Sequence, residues 1–207
     1  MSVRVVNFSL FLFKFSLFLS ILVSSPLTVA ELSVGFGELD ITPDVIDTWE
    51  DVDGNAQFDP EIDTWEDVNG NGHFDAVWMA GFQNQRPAKG VLLPLKTVAI
   101  VLDDGDQRIG LVTADTIGLM NSFVEDLREH VPHELGLDYV MVHATHNHEG
   151  PDTQGLWGKG VFSSGVDATY MKPLRRQMIG ALGTAAGSLE PATLHMATIP
   201  TPRGTPI

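Results

Sequence analysis

Cysteine is absent from all 207 residues. That excludes a disulfide framework and a thiolate site, and it is compatible with an oxidising compartment without requiring one. Basic residues are scarce: 12 Lys and Arg stand against 27 Asp and Glu, for a formal net charge of −15. So acidic a chain is poorly suited to neutralising phosphate. Nucleic acid is excluded as a partner, and so is adsorption to anionic membrane by charge. Long apolar runs are lacking too. Beyond the N-terminal segment none approaches the roughly 20 residues needed to span a bilayer. What remains is 43% hydrophobic and 19% charged, an ordinary balance for a globular chain with one main core.

The exception is the start. Residues 1–30 open with Arg4, run apolar from Phe8 to Val23 and end Leu27-Thr28-Val29-Ala30. A basic start, an apolar middle and a small terminal residue read as a secretory signal cleaved near Ala30, which places the mature protein outside the cell or in the periplasm. The alternative is a retained anchor, but Lys14 splits the run and leaves Phe15 to Val23 too short to cross.

The acidic excess is local. Glu38 to Asp75 carries thirteen Asp and Glu and no Lys or Arg. Within an insert at residues 44–78, a 16-residue unit occurs twice: IDTWEDVDGN from Ile46 recurs as IDTWEDVNGN from Ile62, and Phe58-Asp59 returns as Phe74-Asp75. In each copy oxygen-bearing side chains fall at positions 1, 3, 5 and 9 of an EF-hand-like loop. The sets are Asp51, Asp53, Asn55, Asp59 and Asp67, Asn69, Asn71, Asp75. Alternate residues in a tightly turning loop point inward, and Ca²⁺ takes six to eight oxygens. A solvated acidic loop is the bland alternative, but it does not explain matched spacing twice over. Gly72 occupies the sixth position of the second loop, where the first has Ala56. Position 12, usually Glu, is Ile62 or Trp78, so a closing ligand must come from elsewhere, with Asp63 a candidate for the first loop. No flanking helices are expected, only an irregular, metal-stapled insert.

Elsewhere the patterning predicts strands at Glu31–Asp40, Thr97–Leu102, Arg108–Ala114, Tyr139–Val142 and Thr193–Ile199. Apolar residues at helical spacing predict a helix over about Asn121–Glu134, and a second, capped by Asp167, that ends at Gly187. Pro173 either kinks that helix or marks its true first turn. Asp115 ends a strand, where a catalytic carboxylate or a helix cap is equally expected. In outline this is β-insert-ββαβαβ, an α/β domain with one mixed sheet and flanking helices.

The chemistry concentrates in Tyr139 to Trp157, YVMVHATHNHEGPDTQGLW. A buried strand breaks into a polar loop holding His143, His146, His148, Glu149 and Asp152. His146 and His148 are two apart, so an extended backbone projects both imidazoles from one side. Converging imidazoles at a strand end suit zinc, with Glu149 or Asp152 placed to orient a histidine through its other nitrogen. A histidine-bearing loop with its rings in water is the alternative. Metallo-β-lactamase-type hydrolases follow the HxH pair with Asp and His, where Gly150 and Pro151 stand here.

The segment Ala144 to Asp152, ATHNHEGPD, resembles the neutral/alkaline (non-lysosomal) ceramidases. Gly35-Phe36-Gly37 with Asp40-Ile41-Thr42-Pro43, then Met79-Ala80-Gly81-Phe82, then Leu111 to Asp115 are similar to further family segments, in order. The resemblance runs from about Leu32 to Pro200. Glu149, Asn147 and Asp152-Thr153 depart from the family's usual residues, as does Lys96-Thr97-Val98-Ala99. By this likeness His146 is a zinc ligand, and His148 contacts substrate or shuttles protons, with Glu149 and Asp152 beside it. The reaction implied is hydrolysis of a lipid amide or other small amide, with contact to a membrane surface where the substrate is a lipid. The family's other zinc ligands, a His, a Glu and a Tyr, are expected beyond position 207, which makes residues 31–207 the front part of an incomplete catalytic domain, inactive alone. A non-catalytic, secreted calcium-binding or cell-surface module is the competing expectation.

Overall fold

The computed structural model describes residues 31–198 of the protein. The secretory segment read at residues 1–30 lies outside them, as does the end of the strand expected at Thr193–Ile199.

Strand β1 (Ser33–Asp40) shows why this sheet holds its helix so closely. Its residues Gly35 and Gly37 face the long C-terminal helix. A Cβ on Gly35 would stand 1.9 Å from the Ala185 carbonyl oxygen, and one on Gly37 would stand 2.2 Å from that of Ala181. Only glycine on the strand and alanine on the helix let the two backbones meet.

Two short strands of the insert follow, β2 (Thr48–Glu50) and β3 (Thr64–Glu66). Then β4 (Lys96–Asp103) and β5 (Arg108–Ala114) form a hairpin. Its turn places Gly105 at φ 86°. Asp104 accepts from the Gln107 and Asp106 amides, which hold its carboxyl below the usual carboxylate range. Helix α1 (Asn121–Glu129) leads to β6 (Tyr139–Ala144), which lies parallel to β5. Helix α2 (Ala168–Ala186) and the two-residue β7 (Glu190–Pro191) are the last elements among the described residues. The sheet order is β6-β5-β4-β1-β7, mixed in direction as the outline predicts.

Both helices pack on one face. Alternate residues Ala99, Val101, Val112, Ala114 and Val140 are buried against Leu127 of α1 and Tyr170, Leu174, Met178 and Leu182 of α2. Each fully buried Leu or Met contributes about 1.5–3 kcal/mol. Arg175 and Asp126 form an ion pair that ties the helices together. The Tyr170 hydroxyl donates to the Ile41 carbonyl at 2.7 Å, and burial pushes its pKa well up. On the opposite face Phe36, Ile100, Leu111 and Met141 stand in one cross-strand row.

Two boundaries differ from expectation. Helix α1 stops at Glu129 rather than Glu134, because Pro132 cannot donate a helical bond; a 3₁₀ turn (His133–Leu135) follows. The final strand lies at Glu190–Pro191, ahead of Thr193, where the edge of β1 offers its partners at Ser33 and Val34. Asp167 does cap α2, accepting from the Thr169 amide, and Pro173 lies within the helix.

Candidate functional site

Strand β6 carries the chain to Ala144, and the Thr145 amide then donates to the Ala114 carbonyl at 3.0 Å. His146 adopts a left-handed backbone, φ 63°. Histidine visits this region more readily than most residues, and such strain concentrates at functional sites. The rings of His146 and His148 lie 4.8 Å apart between centroids, at 74°. The expected convergence is therefore present, but the turn at His146 produces it, not the alternation of an extended strand.

The His146 Nδ1 lies 2.8 Å from the Ile117 carbonyl. A carbonyl only accepts, so this bond assigns the proton to Nδ1 and leaves the Nε2 lone pair free. His146 is exposed, which leaves that lone pair accessible.

His148 is set from the other side by Met79 to Arg86. The Met79 amide donates to the Arg86 carbonyl at 2.9 Å, closing a turn. The Ala80 amide donates to the Gly150 carbonyl at 2.9 Å, and the Asp152 amide to the Trp78 carbonyl at 2.8 Å. This segment is thereby stitched along the histidine loop. Gly81, at φ 83°, lies under His148: a Cβ there would be 2.6 Å from the ring. Phe82 meets the same ring edge-on at 5.3 Å.

The two acidic neighbours do different work from that expected. Asp152 is 1% exposed. Its carboxylate accepts from the amides of Gln154 (2.9 Å), Gly155 (2.8 Å), Trp157 (3.0 Å) and Gly165 (3.1 Å). Its acceptor capacity goes to folding the loop that leads to α2. Glu149 pairs with Arg86 at 3.3 Å. Among the described residues neither carboxylate bonds a histidine; the Ile117 carbonyl orients His146 instead. Asp115 caps no helix. It accepts from the Lys96 amide at 3.0 Å.

Asp115, Thr145, Asn147 and Glu149 are among the residues that line a cavity of about 600 Å³. Apart from Thr42 its remaining walls are apolar and include Val45, Val77, Met79, Leu93, Leu95 and Pro151. Asn147 and Glu149 of the histidine loop thus line the cavity, whereas His146 and His148 do not.

The acidic insert is more ordered than an irregular loop. Strands β2 and β3 pair antiparallel, Trp49 opposite Trp65. An aromatic cluster lies beneath: Phe58 and Phe74 centroids are 4.4 Å apart, with Trp49 5.7 Å from Phe58 and Trp65 5.5 Å from Phe74. The two loops fold alike. Asp51 accepts from the Asn55 and Ala56 amides at 3.0 Å each, and Asp67 accepts from Asn71 at 3.0 Å and Gly72 at 2.7 Å. Ala56 takes φ 60° where Gly72 takes φ 78°. In the first loop Asn55 donates to Asp53 at 2.9 Å; in the second, Asn69 and Asn71 both donate to Asp75 at 2.7 Å.

The repeats close each other reciprocally. Asp63, at the head of the second, accepts from the Val52 and Asp59 amides at 2.8 Å each. Asp47, at the head of the first, accepts from Val68 at 3.0 Å and Asp75 at 2.7 Å. Carboxylate oxygens of Asp51, Asp53 and Asp63 lie within 4.8 Å of one another, a candidate cation site. The closing role expected of Asp63 thus has a geometric basis. Asp47 was not legible as its counterpart, although the 16-residue offset between them was.

No protein-family model matches the sequence, and no curated protein does. Among solved structures, the fold is similar to neutral ceramidase from Pseudomonas aeruginosa, with a TM-score of 0.55 at 16% identity over 78% of this chain. A ceramidase solved in complex with C2 gives a TM-score of 0.54 at 17% identity, again over 78%. The chain spans 22% of the length of each of those proteins. The architecture is ceramidase-like.

Proposed function

We propose that this chain carries part of the active site of a secreted, zinc-dependent amide hydrolase acting on lipid amides. The observation that carries the reading is the pair of converging imidazoles, His146 and His148, just beyond the end of the edge strand β6 in a ceramidase-like sheet. His146 Nε2 is the donor offered to zinc, and His148 stands beside it to contact substrate or move a proton. Among the described residues no third histidine or carboxylate completes a cluster with this pair. The donor type fits zinc, and the described residues supply two of about four ligand positions. When bound, the metal supplies an activated water near neutral pH and polarises the carbonyl. The largely apolar cavity lined in part by Asn147 and Glu149, about 600 Å³ in volume, has room for a hydrocarbon chain and favours a lipid over a peptide amide.

The insert is the calcium-binding part of this proposal. Asp51, Asp53 and Asp63 in the first loop, and Asp67, Asn69 and Asp47 in the second, offer the hard oxygen donors that Ca²⁺ prefers. A purely calcium-binding module is the reading that hydrolysis assays would favour by failing. Export follows from residues 1–30; exported protein whose N-terminus is Met1 would remove that part. Function is tested by incubating the full-length protein with zinc and a long-chain N-acyl amine, and following release of the amine. Zinc-dependent release supports the reading; its absence across long- and short-chain amides contradicts it.

A further inference from the structure

The side chain of Arg86 is only 11% exposed, and it does not line the cavity. Its Nη2 donates to two backbone carbonyls, that of Ala80 at 2.8 Å and that of His148 at 2.7 Å. Its Nη1 donates to the Glu149 carboxylate at 3.3 and 3.4 Å. The guanidinium carbon stands 5.0 Å from the Phe82 ring, and Phe82 in turn meets His148. One planar cation therefore holds the backbone, the neighbouring carboxylate and the aromatic wall of the same histidine. The Nε is buried with no partner, so the side chain keeps this pose although one of its donors goes unmet.

We infer that Arg86 is a positioning residue: it fixes the His148 ring and the Glu149 carboxylate relative to His146. The inference rests on the proposed hydrolase reading, but the clasp itself can be tested without activity. Lysine keeps the charge and loses the fork, because a single ammonium cannot serve two carbonyls, a carboxylate and an aromatic face in one plane. Gly81 provides an independent route to the same ring: in Gly81→Ala the new Cβ displaces His148 while Arg86 stays intact.

The experiment is side-chain NMR of this chain, wild type and Arg86→Lys, with Gly81→Ala as second variant. Wild type should show cross-relaxation between protons of the Phe82 and His148 rings. In both variants that signal should vanish while backbone shifts of α2 stay in place. In the full-length enzyme each variant should lower kcat about 10–100-fold with KM within about twofold, as for other supports of site residues. The double variant should fall little below either single one, since both act through one ring. Arg86→Ala should regain turnover with added guanidinium and not with ammonium. Persistence of the Phe82–His148 cross-relaxation in Arg86→Lys, or a fall in kcat that guanidinium cannot restore, overturns the inference. If the wild-type enzyme is inactive and the Phe82–His148 signal still vanishes in Arg86→Lys, the hydrolase reading is removed and the clasp stands.

Discussion

Asp47→Ala is the most informative single change in the insert. The wild-type carboxylate is 1% exposed and accepts from two amides, Val68 at 3.0 Å and Asp75 at 2.7 Å. Each hydrogen bond to a charged group contributes about 1.5–3 kcal/mol, and truncation leaves both donors without it. Against this stands some relief of repulsion among the crowded carboxylates, together with water entering the space vacated. The net local loss should be about 3 kcal/mol, or roughly 100-fold in amide protection. Hydrogen exchange reads this directly at Val68 and Asp75. By the reciprocal geometry, Asp63→Ala should produce the same loss at Val52 and Asp59 instead. Calcium should raise protection at all four amides in wild type and at only one pair in each variant. Protection at Val68 and Asp75 that stays within about twofold of wild type in Asp47→Ala would refute the cross-closure.

Gly35→Ala should be severely destabilising, because a Cβ placed 1.9 Å from the Ala185 carbonyl oxygen must push α2 off β1; overpacking of this kind costs about 1–3 kcal/mol or more, read as a fall in urea midpoint. Ala56→Gly should stabilise the first acidic loop by about 1 kcal/mol, since Ala56 holds φ 60°, and the same assay checks it. Alkali should unfold the protein in part through Tyr170. Its folded pKa is raised, so its contribution is complete below the ordinary value of 10.0 and is lost as pH rises above it. Tyr170→Phe should flatten the dependence of melting temperature on pH in that range.

Periodicity carried most of the architecture. The two-residue alternation of β4 and β5 and the helical spacing of Leu174, Met178 and Leu182 each report one buried face, which is a local property. Asp167 was legible for the same reason: an N-cap bonds an amide two residues away. What escaped was decided by long-range pairing. Asp47 reaches 21 and 28 residues along the chain, and Arg86 reaches 62 and 63. Asp152 looked like a histidine's partner because both lie in one loop, yet its carboxylate turned to nearer amides. At His146 the convergence of the rings was expected, but the left-handed turn that produces it has no signature in an Ala-Thr-His-Asn run.

We propose that His146 Nε2 binds a zinc ion required for amide hydrolysis, with His148 acting beside it. Zinc content and release of amine from a long-chain N-acyl amine should be measured together in the full-length protein, for wild type, His146→Ala and His148→Ala. The account predicts that His146→Ala loses metal and turnover together. His148→Ala should keep its zinc while kcat falls by about 10²–10⁴. A His146→Ala protein that retained stoichiometric zinc and full turnover would contradict it.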